Sequence, residues 1–244
     1  ATICDVKAFI QSIGLKNQDK VEFIREDSHF PLKNHSIEKK NIGKMSRKYI
    51  EDSLPKLVSR IEEILLIHPE QKGIAQTHTK RIASYIKKHS GNSRLTFNKD
   101  HDTPKEMLKK HENKGSSVII ASGLREGIDL FGELSEFQII CKVPYPDLGD
   151  KRVKRKSEIE PRWYQWMTTI AFIQSLGRSV RSKEDKVTTY ILDSDFSYFY
   201  LRNRRFFPSH LRKIISDSFF KNSNTKIITK PKTRKKNIFE LAGN

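Results

Sequence analysis

Four short apolar runs constrain the fold of this chain more than any other feature. They are Val118-Ile119-Ile120-Ala121, Phe137-Gln138-Ile139-Ile140-Cys141, Thr188-Thr189-Tyr190-Ile191-Leu192 and the weaker Gly73-Ile74-Ala75-Gln76. Continuous apolar runs of this length indicate strands that are buried on both faces. Stretches with helical spacing separate them, and strands that alternate with helices predict an α/β fold with a mostly parallel sheet flanked by helices.

The clearest helical stretch runs from Leu54 to Leu65, where apolar residues recur at the spacing of one helix face. Ser53 is its expected N-cap, and Pro55 lies in the first turn. Further helices are predicted at 5–15, 79–89, 104–111 and 161–180.

The domain organisation predicted from these patterns is simple. The connection at 144–160 is longer than an ordinary strand–helix link, which favours a functional segment. We find no internal repeat, and only the end of the chain has a separable composition. We therefore predict one domain over 1–220, followed by a basic tail over 221–244.

The charge balance indicates a polyanionic partner. The chain has 244 residues, of which 47 are Lys or Arg and 29 are Asp or Glu, so the net charge is +18. This excess favours nucleic acid before membrane. No apolar run approaches the ~18 residues that a membrane span needs, so we expect an intracellular protein without a membrane partner. The two cysteines, Cys4 and Cys141, exclude a disulfide framework and any four-cysteine metal site within this chain.

Two segments concentrate the positive charge. One is the tail, which is either a solvated terminus or a nucleic-acid arm. The other follows Pro144-Tyr145-Pro146 and Gly149, so we expect it on a loop. Like charges this dense repel one another unless they are solvated or meet phosphates. The basic residues of this second cluster are Lys151, Arg152, Lys154, Arg155 and Lys156.

The glycine-containing segment 122–129 is a candidate ligand loop. It reads Ser-Gly-Leu-Arg-Glu-Gly-Ile-Asp and directly follows the run at 118–121. Ligands of open α/β sheets bind outside the carboxyl ends of strands, and glycines allow the backbone to approach a ligand closely. The alternative is an ordinary acidic turn.

The segment Gln174-Ser175-Leu176-Gly177-Arg178-Ser179-Val180-Arg181 is the second candidate. If it is helical, Gln174, Arg178 and Arg181 lie on one face. A face with two guanidinium groups and an amide does not pack in a hydrophobic core, so it is either solvated or directed at an anion. Arginine is suited to a transferring phosphoryl group because its planar fork matches phosphate oxygens and stays charged.

Together these segments resemble motifs V and VI of superfamily 2 helicases, and more closely those of the XPD/DinG branch. Supporting similarities are Lys142-Val143-Pro144-Tyr145-Pro146, Trp163-Tyr164, Asp185 and the segment 190–196. Residues 73–79 occupy the place of motif IV, although His78 stands where serine is common. The resemblance covers about residues 1–215. It implies a RecA-like second motor domain.

The start of the chain is similar to the end of motif III, at Ala1-Thr2. The resemblance therefore implies that the first motor domain is missing. The sequence has no GxxxxGK[ST] phosphate loop and no acidic Walker B box. We accordingly expect the isolated chain to be inactive as an ATPase. The iron–sulfur cysteines of the branch belong to the first half, so no such cluster is expected here.

The resemblance also implies residue roles and partners. ATP with Mg²⁺ would bind between two motor domains, with Mg²⁺ held mainly by the first. Arg178 and Arg181 would act as arginine fingers and Gln174 as a γ-phosphate sensor. The other nucleotide-binding residues would be Glu126, Gly127, Asp129 and Gly177. The expected partners are single-stranded or forked DNA and the N-terminal motor domain of the same protein. The expected nucleic-acid contacts are Thr77, His78, Thr79, Ser122, Arg125 and the cluster Lys151, Arg152, Lys154 and Arg155.

The remaining implications are coarser. We expect a monomer that translocates 5′ to 3′, in the cytoplasm of a prokaryote or the nucleus of a eukaryote. One alternative is a stand-alone nucleic-acid-binding module without nucleotide chemistry, and another is an RNA-directed enzyme of the wider superfamily. Trp163, Tyr164 and Trp166 could stack on bases, but packing of a helix against the sheet is the favoured interpretation.

Overall fold

The computed structural model describes residues 3–15, 21–24, 30–97, 103–122, 130, 132–180 and 182–220. Within these residues the fold is a six-stranded parallel sheet with helices on both faces. The strands are β1 (His35–Gly43), β2 (Gly73–Gln76), β3 (Leu95–Phe97), β4 (Val118–Ala121), β5 (Phe137–Ile140) and β6 (Val187–Asp193). The helices are α1 (Val6–Ser12), α2 (Ile50–Ile67), α3 (Lys80–His89), α4 (Pro104–Glu112), α5 (Lys151–Ile159), α6 (Pro161–Leu176), α7 (Asp195–Asn203) and α8 (Ser209–Phe220).

The strand order is β1-β6-β5-β2-β4-β3, and every neighbouring pair is parallel. In the centre of the sheet, Gln138 of β5 is in register with Ile74 of β2 and with Thr189 of β6. Parallel strands place all of their carboxyl ends at one edge of the sheet. That edge is where ligands bind in open α/β folds.

The alternation of side chains along the strands divides the core into two layers. On one face, Ala75, Ile139 and Tyr190 pack with apolar residues of α2 and α3. On the other face, Ile140 and Ile191 pack with residues of α6, α7 and α8. Helix α4 covers the β4 side of that second face through Met107. Because both faces are covered, the central strands are continuously apolar, as the sequence indicated.

The predicted fold class is confirmed, and so are the four predicted strands and the predicted helices apart from their ends. Helix α2 begins before Ser53, so the prediction of Ser53 as N-cap is wrong. Its hydroxyl donates instead to the backbone oxygen of Lys44 at 2.9 Å. Helix α6 ends at Leu176 rather than near residue 180. Strands β1 and β3 and helices α5, α7 and α8 were not predicted from the sequence.

The proposed division at residue 220 stays a prediction, because residues 221–244 lie outside the described part of the chain. Among the described helices, none has both the length and the apolar character needed to cross a membrane.

Candidate functional site

A cleft of about 870 Å³ opens at the carboxyl edge of the sheet, between the strand ends and α6. Four strands contribute to its floor or rim through residues at or just past their ends. Gln76, Ala121 and Asp193 are the last residues of β2, β4 and β6, and Lys142 lies two residues beyond the end of β5. The cleft is therefore where the topology predicts a ligand.

Gln174 and Arg178 both line this cleft, but they do not share one helix face. Helix α6 ends two residues before Arg178, with Gly177 as its C-cap. The guanidinium of Arg178 is carried by the turn that follows, and only 9% of this residue is exposed, whereas Gln174 is exposed. The expected shared face is wrong because the helix stops early, yet both side chains reach the same cleft. Arg181 lies outside the described residues.

The turn that carries Arg178 is held by buried hydroxyl groups. The Oγ atoms of Ser179 and Ser135 are 2.6 Å apart, and both residues are fully buried. Further along, the carboxylate of Asp185 accepts hydrogen bonds from the backbone N–H groups of Gly132 at 3.0 Å and Ser182 at 2.7 Å. Since Asp185 is itself buried, it fixes the chain after the turn rather than contacting solvent.

The segment after β2 contributes two of its three predicted contacts. Thr79 and His78 line the cleft. His78 has a left-handed backbone conformation with φ of 59°, which turns the chain away from the strand. Thr79 is the N-cap of α3, and its hydroxyl oxygen accepts from the backbone N–H of Ile82 at 3.3 Å.

Thr77 does not fit the predicted contact with nucleic acid. It is fully buried, and its hydroxyl donates to the backbone oxygen of Ala121 at 3.1 Å. Its role is to join the ends of β2 and β4. Ser122 is half-buried directly after β4. The other predicted residues of that segment, Arg125, Glu126, Gly127 and Asp129, lie outside the described residues.

The basic cluster after residue 150 forms helix α5, which corrects the expectation of a loop. Asp150 caps this helix by accepting from the backbone N–H groups of Arg152 and Val153. A short helix with an ideal cap and few apolar residues gives no periodic signal, and so the pattern missed it. The exposed basic residues of α5 are Lys151, Arg152, Lys154 and Arg155. They form a charged face beside the cleft, whose rim includes Gly149.

The aromatic residues of α6 are mainly structural. Trp166 is buried, and its indole N–H donates to the backbone oxygen of Ile3 at 2.6 Å. Tyr164 lines the cleft, with its hydroxyl donating to the backbone oxygen of Pro146 at 3.0 Å. Its ring lies nearly parallel to that of Tyr145, with centroids 6.0 Å apart. Trp163 is half-buried beneath the ammonium group of Lys156.

Several residues of the cleft were not predicted to be site residues, although some lie in segments that carried the family resemblance. Asp193 is the clearest, because burial raises the pKa of its carboxyl group even though three backbone N–H groups hydrogen-bond to it. Its position as the last residue of a β-rich run was the available signal. The charged residues Arg47, Lys142 and Asp195 also line the cleft. Both signs of charge are thus present around it.

Metal-ligand chemistry gives no further candidate in the described ranges, where we find no group of three or more His, Cys, Asp or Glu side chains placed to hold an ion. The thiol of Cys141 is fully buried, and burial raises its pKa. A buried thiol of this kind acts as a small packing residue.

Comparisons with known proteins agree with the geometry. The model of a family described as "Helicase C-terminal domain" matches residues 75–214. The Caenorhabditis elegans protein "Regulator of telomere elongation helicase 1 homolog" is 30% identical over a 109-residue alignment, which covers 38% of this chain and 11% of that protein.

Two solved structures have similar folds at low sequence identity. The structure named "XPD_APO" has a TM-score of 0.61 and 14% identity, over 84% of this chain and 45% of that one. "Structure of S. tokodaii Xpd4" has a TM-score of 0.50 and 14% identity, over 68% of this chain and 36% of that one. This chain thus spans less than half the length of each of these relatives.

Proposed function

Since this chain belongs to the helicase C-terminal domain family, in its XPD/DinG-like form, we propose that it is the second motor domain of an ATP-dependent DNA helicase. In this proposal it acts on ATP that is bound mainly by a separate N-terminal motor domain. The nucleotide binds in the interface, and the DNA strand crosses the carboxyl edge of the sheet.

One observation carries the nucleotide half of the proposal, which is the placement of Arg178 beside Gln174 at the cleft. A guanidinium that is fixed in a buried turn needs little reorganisation when charge develops on a phosphoryl group. An arginine finger of this kind is worth ~10³–10⁵ in rate where it has been measured. Arg181, Glu126, Gly127, Asp129 and Gly177 complete the proposed nucleotide contacts.

The donor set of this chain fits one side of a triphosphate. It supplies cationic and amide groups at the cleft but no phosphate loop. Mg²⁺ is therefore assigned to ligands from the other motor domain, where it would neutralise the phosphate charge. The residues of this chain would contact the γ-phosphate and report its presence.

The nucleic-acid half rests on the strand-end segment and on helix α5. Thr79 marks the N-terminus of α3, where backbone N–H groups favour anions. The exposed face of α5 supplies positive charge beside the cleft. Contacts of this type position a phosphate backbone without reading its sequence. We therefore propose sequence-tolerant, salt-sensitive binding of single-stranded DNA and, by family resemblance, 5′ to 3′ movement.

The test is an Arg178→Ala variant in a full-length protein that carries both motor domains. DNA-stimulated ATP turnover should fall by about 10³-fold, while the affinity for single-stranded DNA changes less than about twofold. Arg202→Ala is the matched control, because Arg202 is exposed on α7 and contacts Tyr198. Near-normal ATP turnover in Arg178→Ala would contradict the role of Arg178 as an arginine finger.

A second function is favoured specifically by α5, because four of its five basic residues are exposed. The chain could bind nucleic acid as a stand-alone module. Changing Lys151, Arg152, Lys154 and Arg155 to Gln in the full-length protein, and measuring the affinity of wild type and variant for DNA with and without ATP, separates the two functions. Loss of all affinity in the variant, together with a wild-type affinity that does not change with ATP, would favour the binding module.

A further inference from the structure

We propose that Gln76 and Gln138 are positioning residues that fix Arg178 by holding the last turn of α6 to the sheet. The inference rests on the proposed function, because it assigns these two buried amides a role in the chemistry of Arg178. Neither residue contacts the nucleotide in this proposal. They act through the backbone of the turn.

The two amides belong to a row of buried polar groups that crosses four neighbouring strands. The amide nitrogen of Gln76 donates to the side-chain oxygen of Gln138 at 3.2 Å. The amide nitrogen of Gln138 donates to the hydroxyl of Thr189 at 2.8 Å. That hydroxyl is 3.0 Å from Nε2 of His35. The row therefore runs from β2 through β5 and β6 to β1, on the face of the sheet that α6 covers.

The second N–H of each amide donates a hydrogen bond to the backbone of α6. Gln76 donates to the backbone oxygen of Ser175 at 2.9 Å, and Gln138 donates to that of Leu176 at 3.0 Å. Carbonyls in the last turn of a helix lack the N–H partner four residues on that the rest of the helix has, and the carbonyl of Ser175 also accepts from the backbone N–H of Arg178 at 3.4 Å. The sheet thus caps α6 through side chains, and the next two residues are Gly177 and Arg178.

The arrangement is specific because the donors are fully used. Gln138 makes two donor bonds and one acceptor bond, and it is completely buried. Buried polar groups of this kind are costly unless every member is satisfied. An apolar side chain of similar size would fill the space, so packing alone does not require glutamine here. The hydrogen bonds of the two amides fix the orientation of the carbonyls of Ser175 and Leu176, which apolar packing would not do.

The turn is also anchored on its far side. Ser179 contacts Ser135 through their hydroxyl groups at 2.6 Å. Arg178 therefore lies between two fixed points of the chain. Before it, the carbonyls of Ser175 and Leu176 are held by the sheet, and after it, Ser179 is held by Ser135. A displacement of either anchor would move the guanidinium relative to the cleft.

Gln76 further connects this turn to the segment proposed to contact DNA. It is the last residue of β2 and immediately precedes Thr77, His78 and Thr79.

The first experiment uses this chain itself and does not depend on helicase activity. Gln138→Met keeps the side-chain volume but removes the hydrogen bonds. Thr96→Val is the matched control, because it removes a side-chain hydrogen bond to Ser117 at 2.8 Å, in the same sheet but away from α6. Amide hydrogen exchange over 174–180 should be faster by about fivefold in Gln138→Met and unchanged in Thr96→Val. Equal protection in both variants would overturn the positioning role.

The second experiment uses the full-length protein. In Gln138→Met and Gln76→Met, kcat for DNA-stimulated ATP hydrolysis should fall about 10- to 100-fold, while the KM for ATP and the affinity for DNA stay within about twofold. Thr96→Val should retain the wild-type kcat. If the wild type itself shows no DNA-stimulated turnover, the proposed function fails. If the wild type turns over ATP and the glutamine variants match Thr96→Val, the positioning role of the two glutamines fails instead.

Discussion

Oδ2 of Asp193 accepts a hydrogen bond from the backbone N–H of Val143 at 3.0 Å. The other oxygen of the same carboxylate accepts from the N–H groups of Met45 at 3.2 Å and Asp195 at 3.0 Å. One buried side chain at the end of β6 therefore joins the ends of β1 and β5. This connection fixes the wall of the cleft that Val143 and its neighbours form.

Replacing Asp193 with Asn should destabilise the protein. The amide offers one acceptor oxygen, so its NH₂ group would face at least one backbone donor and leave it unpaired. A buried group without a partner costs about 1–3 kcal/mol, and we expect a loss of that size in the free energy of unfolding, measured by urea denaturation. Asp195→Asn is the control, since Asp195 is only half-buried and its carboxylate is 3.7 Å from the exposed Lys44. Equal stability of both variants would contradict the role of Asp193.

The stability should also depend on pH through His35. Burial, followed by the positive charge of His210 on α8, lowers the pKa of His35 from 6.5 to about 4. The folded protein then binds fewer protons than the unfolded chain between these pH values. The contribution of neutral His35 to the free energy of unfolding is therefore fully present above pH 6.5. It is lost as the pH falls towards 4, which lowers the free energy of unfolding by an amount on the order of 3 kcal/mol.

A His35→Gln variant provides the check on this dependence. Its free energy of unfolding should fall less steeply from pH 6.5 to pH 4 than that of the wild type. Some slope should remain, because burial also lowers the pKa of His111. Identical slopes for the two proteins would show that His35 is not the titrating group.

Arg94 should contribute strongly to stability, because it joins the end of α2 to the segments that precede β2 and β4. Its guanidinium donates to the backbone oxygens of Leu65, His68, Gln71 and Ser116 at 2.7–2.8 Å. Arg94→Ala leaves these carbonyls without their charged donor, so we expect a loss of at least about 2 kcal/mol in the free energy of unfolding. Arg94→Lys should be intermediate. Lys40→Ala, which removes only an exposed pair with Glu38, should change stability by less than about 0.5 kcal/mol.

The sequence predicted the centre of the fold because the central strands are buried on both faces and read as apolar runs. It missed β1 because an edge strand with alternating burial, such as His35–Gly43, carries polar residues and resembles a loop. Helix α5 was missed because none of its residues is buried. A periodic apolar pattern arises only where one face of an element is buried, so a fully solvated helix shows no such pattern.

The candidate site divides in the same way. Local motifs identified Gln174, Arg178 and Thr79, because their residue types are chemically distinctive. The amides of Gln76 and Gln138 gained their roles from strand order, which no local pattern contains. Asp193 was indicated only by its place just after a predicted strand, and its hydrogen-bond partners come from segments after other strands. Thr77 was misassigned because the sequence does not reveal that its hydroxyl is turned towards β4.

Helix α5 should supply part of the electrostatic grip on nucleic acid. Changing Lys151, Arg152, Lys154 and Arg155 to Gln should weaken binding of single-stranded DNA uniformly across sequences. The slope of log affinity against log salt should decrease in magnitude by ~0.7 for each phosphate that is no longer neutralised. Lys87→Gln with Lys88→Gln is the control, because these exposed residues end α3, which runs from the carboxyl edge of the sheet back to its opposite edge. Fluorescence anisotropy over a salt series measures both variants. A salt slope that changes in the α3 variant but not in the α5 variant would place the DNA elsewhere, because only groups that neutralise phosphates release counterions.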